Sequence, residues 1–266
     1  IVVAEACRNM SCVGATPLAL TDCLNFGNPE NPEVYYQLEW CVRGMAKACR
    51  VLNVPVVSGN VSLYNEAQGQ GIFPTPVVGG LGLLQDVKTH CRSGFQGEGL
   101  VVVMVGVDRL GARASDLAGS EYLRLCHDTL AGRPFIDLGL EKRVQELCRV
   151  LIEQGVIASA HDCSEGGLAA ALAECCIQGN VGFSSQVNLP RRWDVALFGE
   201  RQSRIVVSLP RENLEILERL AVESQTPVLR LGTTGGRKFH WGPVLDVPLQ
   251  DLSDAWSNGL DRALGG

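Results

Sequence analysis

The chain has 266 residues, an apolar fraction of 46% and a formal net charge of −6, which is enough apolar material for buried cores in about two domains of ordinary size. No run approaches the roughly 20 continuous apolar residues of a membrane span, and no basic flank with an apolar centre opens the sequence as a signal peptide would. Lys and Arg form no stripe, which argues against nucleic acid, because binding a phosphate backbone needs concentrated positive charge. Small molecules and proteins are the expected partners, and the cytoplasm the expected location.

The opening residues, IVVAEACRNM, read as a helix (about 2–12) already under way. With Ile rather than Met in first place, the expectation is that the true start was removed or that the chain is a piece of a longer protein. A strand (about 16–23) follows, then NFGNPENPE, whose Pro and Asn punctuate a turn. Leu38, Cys41, Val42, Met45, Cys49 and Leu52 recur at spacings of three and four and so share one helix face. The strand VPVVSG, expected to be buried, leads through a Gly/Gln loop to TPVVGGLGLL, whose paired glycines suggest close backbone approach. Periodicity lapses over DVKTHCRSGFQGE, which places a boundary between domains of about 1–93 and 94–266. Beyond it, LVVVMVGV reads as a fully buried strand. Leu140, Val144, Leu147, Cys148 and Leu151 form a helix stripe, VIASAHD a short strand and GGLAAALAECC a small-residue helix. VGFSSQV, SRIVVSLP, the helix RENLEILERLAVES and a final strand TPVLRLG complete the series. Strands alternating with helices give α/β or α+β in two domains.

Eleven cysteines include no CxxC pair and no regular spacing, and Cys41, Cys49, Cys148 and Cys175 fall within apolar helical patterns. They read as buried free thiols in a reducing compartment rather than as zinc ligands or disulfides. GGLGLL lacks the full GxGxxG pattern and a following helix, and no GxxxxGK[ST] is present, so neither dinucleotide nor P-loop chemistry is indicated. In HDCSEGGLAAAL, residues 161–172, a strand end meets Gly-Gly at a helix start. That arrangement either holds an anion on free backbone N–H groups or is closed by Asp162 or Ser164 as an N-cap. His161 is open to a base role or a structural one, and no Ser/His/Asp or Cys/His set can be assembled from the four histidines.

Asp22 lies in or at the end of an apolar strand, where an unpaired carboxylate is costly, so it needs either backbone amides of the next turn or a ligand. SGNVSLYNE, residues 58–66, offers a complement. Gly59 permits close approach, Asn60 has a neutral oxygen of the kind Mg²⁺ accepts, and Ser62 has a hydroxyl. Two strand ends bearing Asp, Asn and Ser suggest one shared cleft.

LTDCLNFGNPENPEVYYQLEW, then VPVVSGNVSLYNE, then HDCSEGGLAAALAE together closely resemble the small-type synthetase subunit of phosphoribosylformylglycinamidine synthase (FGAM synthase), through nearly the whole chain. The resemblance implies the second of two aminoimidazole ribonucleotide synthetase-like units. Each has an N-terminal domain that contributes to a central β-barrel and a C-terminal α/β domain, and here the first domain lacks some opening strands. It implies an ATP-dependent conversion of formylglycinamide ribonucleotide and ammonia into formylglycinamidine ribonucleotide through an iminophosphate, with Mg²⁺ as cofactor. The implied partners are the N-terminal half of the same enzyme, a glutaminase subunit that supplies the ammonia, and a small accessory subunit. By motif, Asp22 and Gly59 would contact ATP, Asn60 would ligate Mg²⁺ and Ser62 would contact the substrate, while HDCSEGG receives no firm role. The family's catalytic histidines and acidic metal ligands lie in the first unit, so the chain alone is expected to be inactive. Unpaired barrel edges in a half-molecule invite pairing between copies, so a homodimer is a further expectation.

Other ATP-using enzymes of this architecture, such as selenophosphate synthetase or thiamine monophosphate kinase, fit less well, because LNFGNPE and SGNVSLYNE occur together. The competing reading is a non-catalytic half that binds nucleotide only to complete the barrel and dock the glutaminase.

Overall fold

Asn31 and Pro32 explain where the long helix of the first unit begins. The Asn31 side chain accepts the Glu33 N–H at 2.9 Å, and Pro32 occupies the first turn, where a missing N–H costs nothing. The computed structural model describes residues 1–265, which divide into two compact units. One comprises residues 1–11 and 15–85, the other residues 12–14 and everything from Asp86 onward. In chain order the first unit carries α1 (Val2–Cys12), β1 (Thr16–Asn25), α2 (Pro32–Leu52), β2 (Val56–Ser62), β3 (Glu66–Ala67), β4 (Gln70–Gly71) and β5 (Thr75–Leu83).

The main sheet of this unit has the order β2-β1-β5, with β2 parallel and β5 antiparallel to β1. Two glycines of β5, Gly80 and Gly82, sit where α1 lies on the sheet. A Cβ at Gly80 would come 2.5 Å from Met10 Cε, and one at Gly82 would come 3.0 Å from the Ala15 Cβ. Leu20 and Leu24 of β1, Val3 and Cys7 of α1, and Met45 and Ala48 of α2 supply buried residues. The expectation of a buried β2 is corrected: it is an edge strand, exposed at all but its last residue. The α2 stripe is likewise only part-covered, with Met45 buried and Val42 exposed. Both differences have one cause, since three strands span only about 10 Å, too little to cover a helix face. Among the described residues of this unit no helix covers the opposite face of the sheet, and Val77 and Leu81 there are 52% and 64% exposed.

The second unit comprises β6 (Val101–Val105), α3 (Glu121–His127), α4 (Leu138–Glu153), β7 (Ser159–Asp162), α5 (Gly167–Gly179), β8 (Phe183–Ser185), α6 (Trp193–Phe198), β9 (Ile205–Leu209), α7 (Leu214–Glu223), β10 (Val228–Thr234), β11 (Lys238–Trp241), β12 (Leu245–Pro248) and α8 (Leu249–Ala263). Its seven-stranded sheet runs β12-β11-β8-β10-β6-β9-β7, antiparallel throughout except at β11/β8. Of the two classes left open by the sequence, this pairing selects α+β. β6 is buried on both faces, as LVVVMVGV suggested. Val101, Val103 and Val105 join the core with Val144, Leu147 and Leu151 of α4, while Val102 and Met104 join the other core with Leu168 and Leu172 of α5.

TPVLRLG is not the final strand. β11, β12 and α8 follow it, and Phe239 and Trp241 alternate into the core from a strand of only four residues, too short to register as a periodic pattern. VGFSSQV shrinks to three paired residues, and RENLEILERLAVES opens as a 3₁₀ turn, Arg211–Asn213, before α7. No disulfide forms among the described residues, and seven of the eleven thiols are buried. Burial pushes the Cys91 and Cys176 thiols up to about 12, so they stay protonated and inert. Cys148 and Cys175 are buried as expected, whereas Cys41 and Cys49 are only half-buried. Among the described residues no helix is long and apolar enough to cross a membrane.

Candidate functional site

β1 extends to Asn25, two residues past its expected end, so Asp22 stands inside the strand rather than at its tip. The parallel register sets Asp22 directly against Gly59, Cys23 against Asn60 and Asn25 against Ser62. Gly59 is required there: a Cβ would fall 2.1 Å from Asp22 Oδ1 and 2.8 Å from the Asp22 carbonyl oxygen. The Asp22 side chain thus lies across Gly59 on the helix-covered face. Burial is the chief cause that raises the Cys49 thiol pKa on α2, and the Asp22 charge adds to it. The half-buried Asp22 carboxylate makes no hydrogen bond or ion pair with any described residue. The backbone-amide partner considered from sequence is therefore absent among the described residues.

Successive strand residues point to opposite faces, so Asn60 and Ser62 share the uncovered face with Cys23 and Asn25, away from the Asp22 carboxylate. The four expected site residues are thus adjacent on two paired strands but divided between two faces. β2 is the edge strand, exposed along all but its last residue, and its outer backbone edge pairs with no strand among the described residues.

Past Ser62 the chain is fastened to the end of β1. Phe26 N–H donates to Ser62 O at 3.0 Å, Tyr64 N–H to Gly27 O at 3.1 Å and Asn65 N–H to Phe26 O at 3.2 Å, with Tyr64 left-handed at φ 60°. The Asn65 amide also donates to Phe26 O and to Ser62 Oγ, at 3.1 and 3.0 Å. SGNVSLYNE is therefore a strand with a pinned exit, and Asn65 fixes the Ser62 hydroxyl. Sequence reasoning missed Asn65, although an Asn just past a strand is a recognised turn-former.

In the second unit, neither Asp162 nor Ser164 caps α5. The cap is Gly166, left-handed at φ 73°, and its N–H donates to Glu200 Oε1 at 2.9 Å. The same oxygen accepts the Glu121 N–H of α3 at 2.8 Å, so one internal carboxylate serves two helix N-termini. Nothing in the local sequence signals Glu200, which lies 34 residues from its Gly166 partner. Gly167, left-handed at φ 69°, sits where a Cβ would meet Gly199 O at 2.7 Å. His161 is structural in its contacts: Nε2 lies 3.0 Å from Glu174 Oε2 on α5, and Nδ1 lies 2.7 Å from Asp162 O. Burial lowers its pKa, but the hydrogen bond to Glu174, the Asp162 carbonyl and the two carboxylate charges outweigh it and leave the imidazole raised.

A three-stranded sheet covered on one face, followed in the chain by a separate unit with a seven-stranded sheet, defines a two-domain α+β protein. The chain belongs to the AIR synthase related proteins: the N-terminal domain of that family matches residues 1–84 and the C-terminal domain residues 97–240. It is similar to the phosphoribosylformylglycinamidine synthase subunit PurL of Anaeromyxobacter dehalogenans, 49% identical over 273 residues that cover 98% of this chain. It spans about a third of the length of the curated relatives it matches, 35% in that case. In fold it resembles Thermotoga maritima PurL complexed with FGAR (TM-score 0.73, 20% identity, 94% of this chain and 42% of that one) and the same protein complexed with ATP (0.68, 19%, 94% and 40%).

Proposed function

We propose that the chain supplies part of the active site of a phosphoribosylformylglycinamidine synthase, the ATP-dependent ligase that converts formylglycinamide ribonucleotide and glutamine-derived ammonia to formylglycinamidine ribonucleotide. The observation that carries this reading is the Asp22 carboxylate, without a partner among the described residues and laid across Gly59, whose strand presents Asn60 and Ser62 on its other face. A half-buried carboxylate left unpaired in a strand is costly unless a ligand takes it. In this reading Asp22 accepts hydrogen bonds from the nucleotide, Gly59 clears the backbone for close approach, and Ser62, steadied by Asn65, presents its hydroxyl to the substrate.

The donor set fits Mg²⁺ only in part. The Asn60 amide oxygen is a hard neutral ligand of the kind Mg²⁺ takes, but no group of three or more His, Cys, Asp or Glu that could hold a metal occurs among the described residues. Phosphate oxygens, water and acidic residues from another chain would complete the shell. When bound, Mg²⁺ would be held here by the Asn60 amide oxygen and would supply positive charge that offsets phosphate charge. The reading extends to a chain that is inactive alone and works with the preceding synthetase-like half. A glutaminase subunit, a small accessory subunit and a cytoplasmic location accompany that reading, and the uncovered sheet face would pair with the preceding half or with a second copy.

Isothermal titration of Mg·ATP, then of formylglycinamide ribonucleotide, into the chain with and without the preceding half tests this. Binding and turnover only on mixing, both weakened by Asn60→Ala without loss of stability, are expected. Association of the halves with no nucleotide binding would show instead that this strand pair only completes the sheet.

A further inference from the structure

β6 and β9 are antiparallel partners, with Val105 opposite Ile205. The loop leaving β6 and the loop entering β9 therefore meet at one end of these two interior strands, at the rim of the sheet, closely enough that a Cβ on Gly106 would fall 1.9 Å from Ser203 O. Between these loops, η-turn residues 114–117 and the start of α4 lies a cavity of about 350 Å³ lined by Arg113, Phe135, Glu200, Arg201, Gln202 and Ser203. It adjoins a second of about 530 Å³ that shares Arg113, Asp116, Leu140 and Arg201 and adds Arg109. These volumes suit small metabolites.

Hydrogen-bond donors and acceptors here are unevenly matched. The side chains of Arg109, Arg113 and Arg201 make no hydrogen bond or ion pair with a described residue. Of the carboxylates facing them, Glu200 is engaged by the N–H groups of Glu121 and Gly166, and Asp137 by those of Gly139 and Leu140 at 2.9 and 3.0 Å. All four carboxylates, Asp108, Asp116, Asp137 and Glu200, keep their charge beside the three guanidinium groups, so what this place offers a ligand is unused N–H donors rather than an excess of positive charge. Asp116 Oδ2 and Arg201 Nη1 lie 3.6 and 4.0 Å from the place a Gly111 Cβ would take.

Ser203 supplies an independent observation. It is 2% exposed, left-handed at φ 63°, and its Oγ meets no hydrogen-bond partner. A buried hydroxyl without a partner and a non-Gly residue in the left-handed region each cost stability, and such strain gathers where a ligand is held. The Arg204 guanidinium holds the main chain of the same loop by donating to Arg201 O and Gly199 O at 2.8 and 2.6 Å.

We propose that this rim of the second unit binds a phosphate monoester, with Arg113 and Arg201 flanking the phosphoryl oxygens, Arg109 at the mouth and the Ser203 hydroxyl as a further donor. Paired guanidinium groups match phosphate geometry. The site lies wholly in the second unit and goes beyond the nucleotide reading at Asp22 and Asn60.

The test titrates inorganic phosphate, then ribose 5-phosphate, into the full 266-residue chain at constant ionic strength. Binding should weaken about tenfold or more in Arg113→Gln/Arg201→Gln, a change of exposed side chains that leaves the fold intact. Ser203→Gly should weaken phosphate severalfold while raising the melting temperature, because it removes both the unpaired hydroxyl and the left-handed strain. Equal affinity in the wild type and both variants, or no saturable binding at millimolar phosphate, overturns the proposal. Titrating Mg·ATP into the same samples reads the nucleotide site separately, so failure of either site is recognised without the other.

Discussion

Gly59 shows how much one missing Cβ can decide. Any side chain there would press on both the carboxylate and the carbonyl of Asp22, 2.1 and 2.8 Å away. Gly59→Ala should destabilise the chain by about 1–3 kcal/mol, measured by urea unfolding, and weaken Mg·ATP binding wherever the preceding half supports it. Adding Asp22→Gly should recover part of the stability, because the carboxylate clash is removed while the carbonyl clash stays, but none of the binding. Recovery of both would sink the assignment of Asp22. The residue types at this site were legible because Asp, Gly, Asn and Ser carry their chemistry in their names. Their distribution between two faces was not, because it depends on strand register, which the β1/β2 pairing fixes between residues far apart in sequence, Asp22 with Gly59 and Cys23 with Asn60.

At the scale of elements, the second unit is tied together by side chains that local reading passed over. Glu200 Oε1 satisfies the first N–H groups of α3 and α5 together, so Glu200→Ala should cost about 2 kcal/mol. Glu200→Gln, which keeps an acceptor oxygen but loses the charge facing two helix dipoles, should cost about half that; equal costs would exclude a charge contribution. His161 joins β7 to α5 through Glu174. Its pKa is raised in the folded chain, so folding favours the protonated ring. That contribution is complete below the unfolded value of about 6.5 and disappears as pH rises through the folded value. The stability difference between the wild type and His161→Gln should therefore widen as pH falls from about 8 to about 6; a difference that is constant or narrows would show that Glu174 does not hold the imidazolium. Long periodic segments such as α4 and LVVVMVGV were legible because many residues repeat one pattern. β8, β11 and α6, each six residues or fewer, exist through their neighbours: Phe183 and Trp241 are buried by tertiary packing that no local window contains.

For the whole molecule, the first unit is the part that stands incomplete. Its three-stranded sheet leaves one face uncovered, with Val77 and Leu81 half or more exposed, whereas the seven-stranded sheet buries residues of both faces in two cores. Contiguous exposed apolar strands mark interaction surfaces, and the preceding synthetase-like half is the partner that the proposed function supplies. This leads to a mutation whose effect separates assembly from folding. Val77 already faces solvent in the isolated chain, so Val77→Asp should change its unfolding free energy by less than about 0.5 kcal/mol. Burying the new carboxylate against another sheet, with no partner for it, would cost several kcal/mol, so the variant should fail to associate with the preceding half and fail to restore turnover on mixing. The same substitution should abolish any concentration-dependent self-association seen by analytical ultracentrifugation. A variant that unfolds on its own would place Val77 in the chain's own core. One that folds, associates and restores turnover as the wild type does would leave the uncovered face without its proposed partner and move the contact between the halves elsewhere on the first unit.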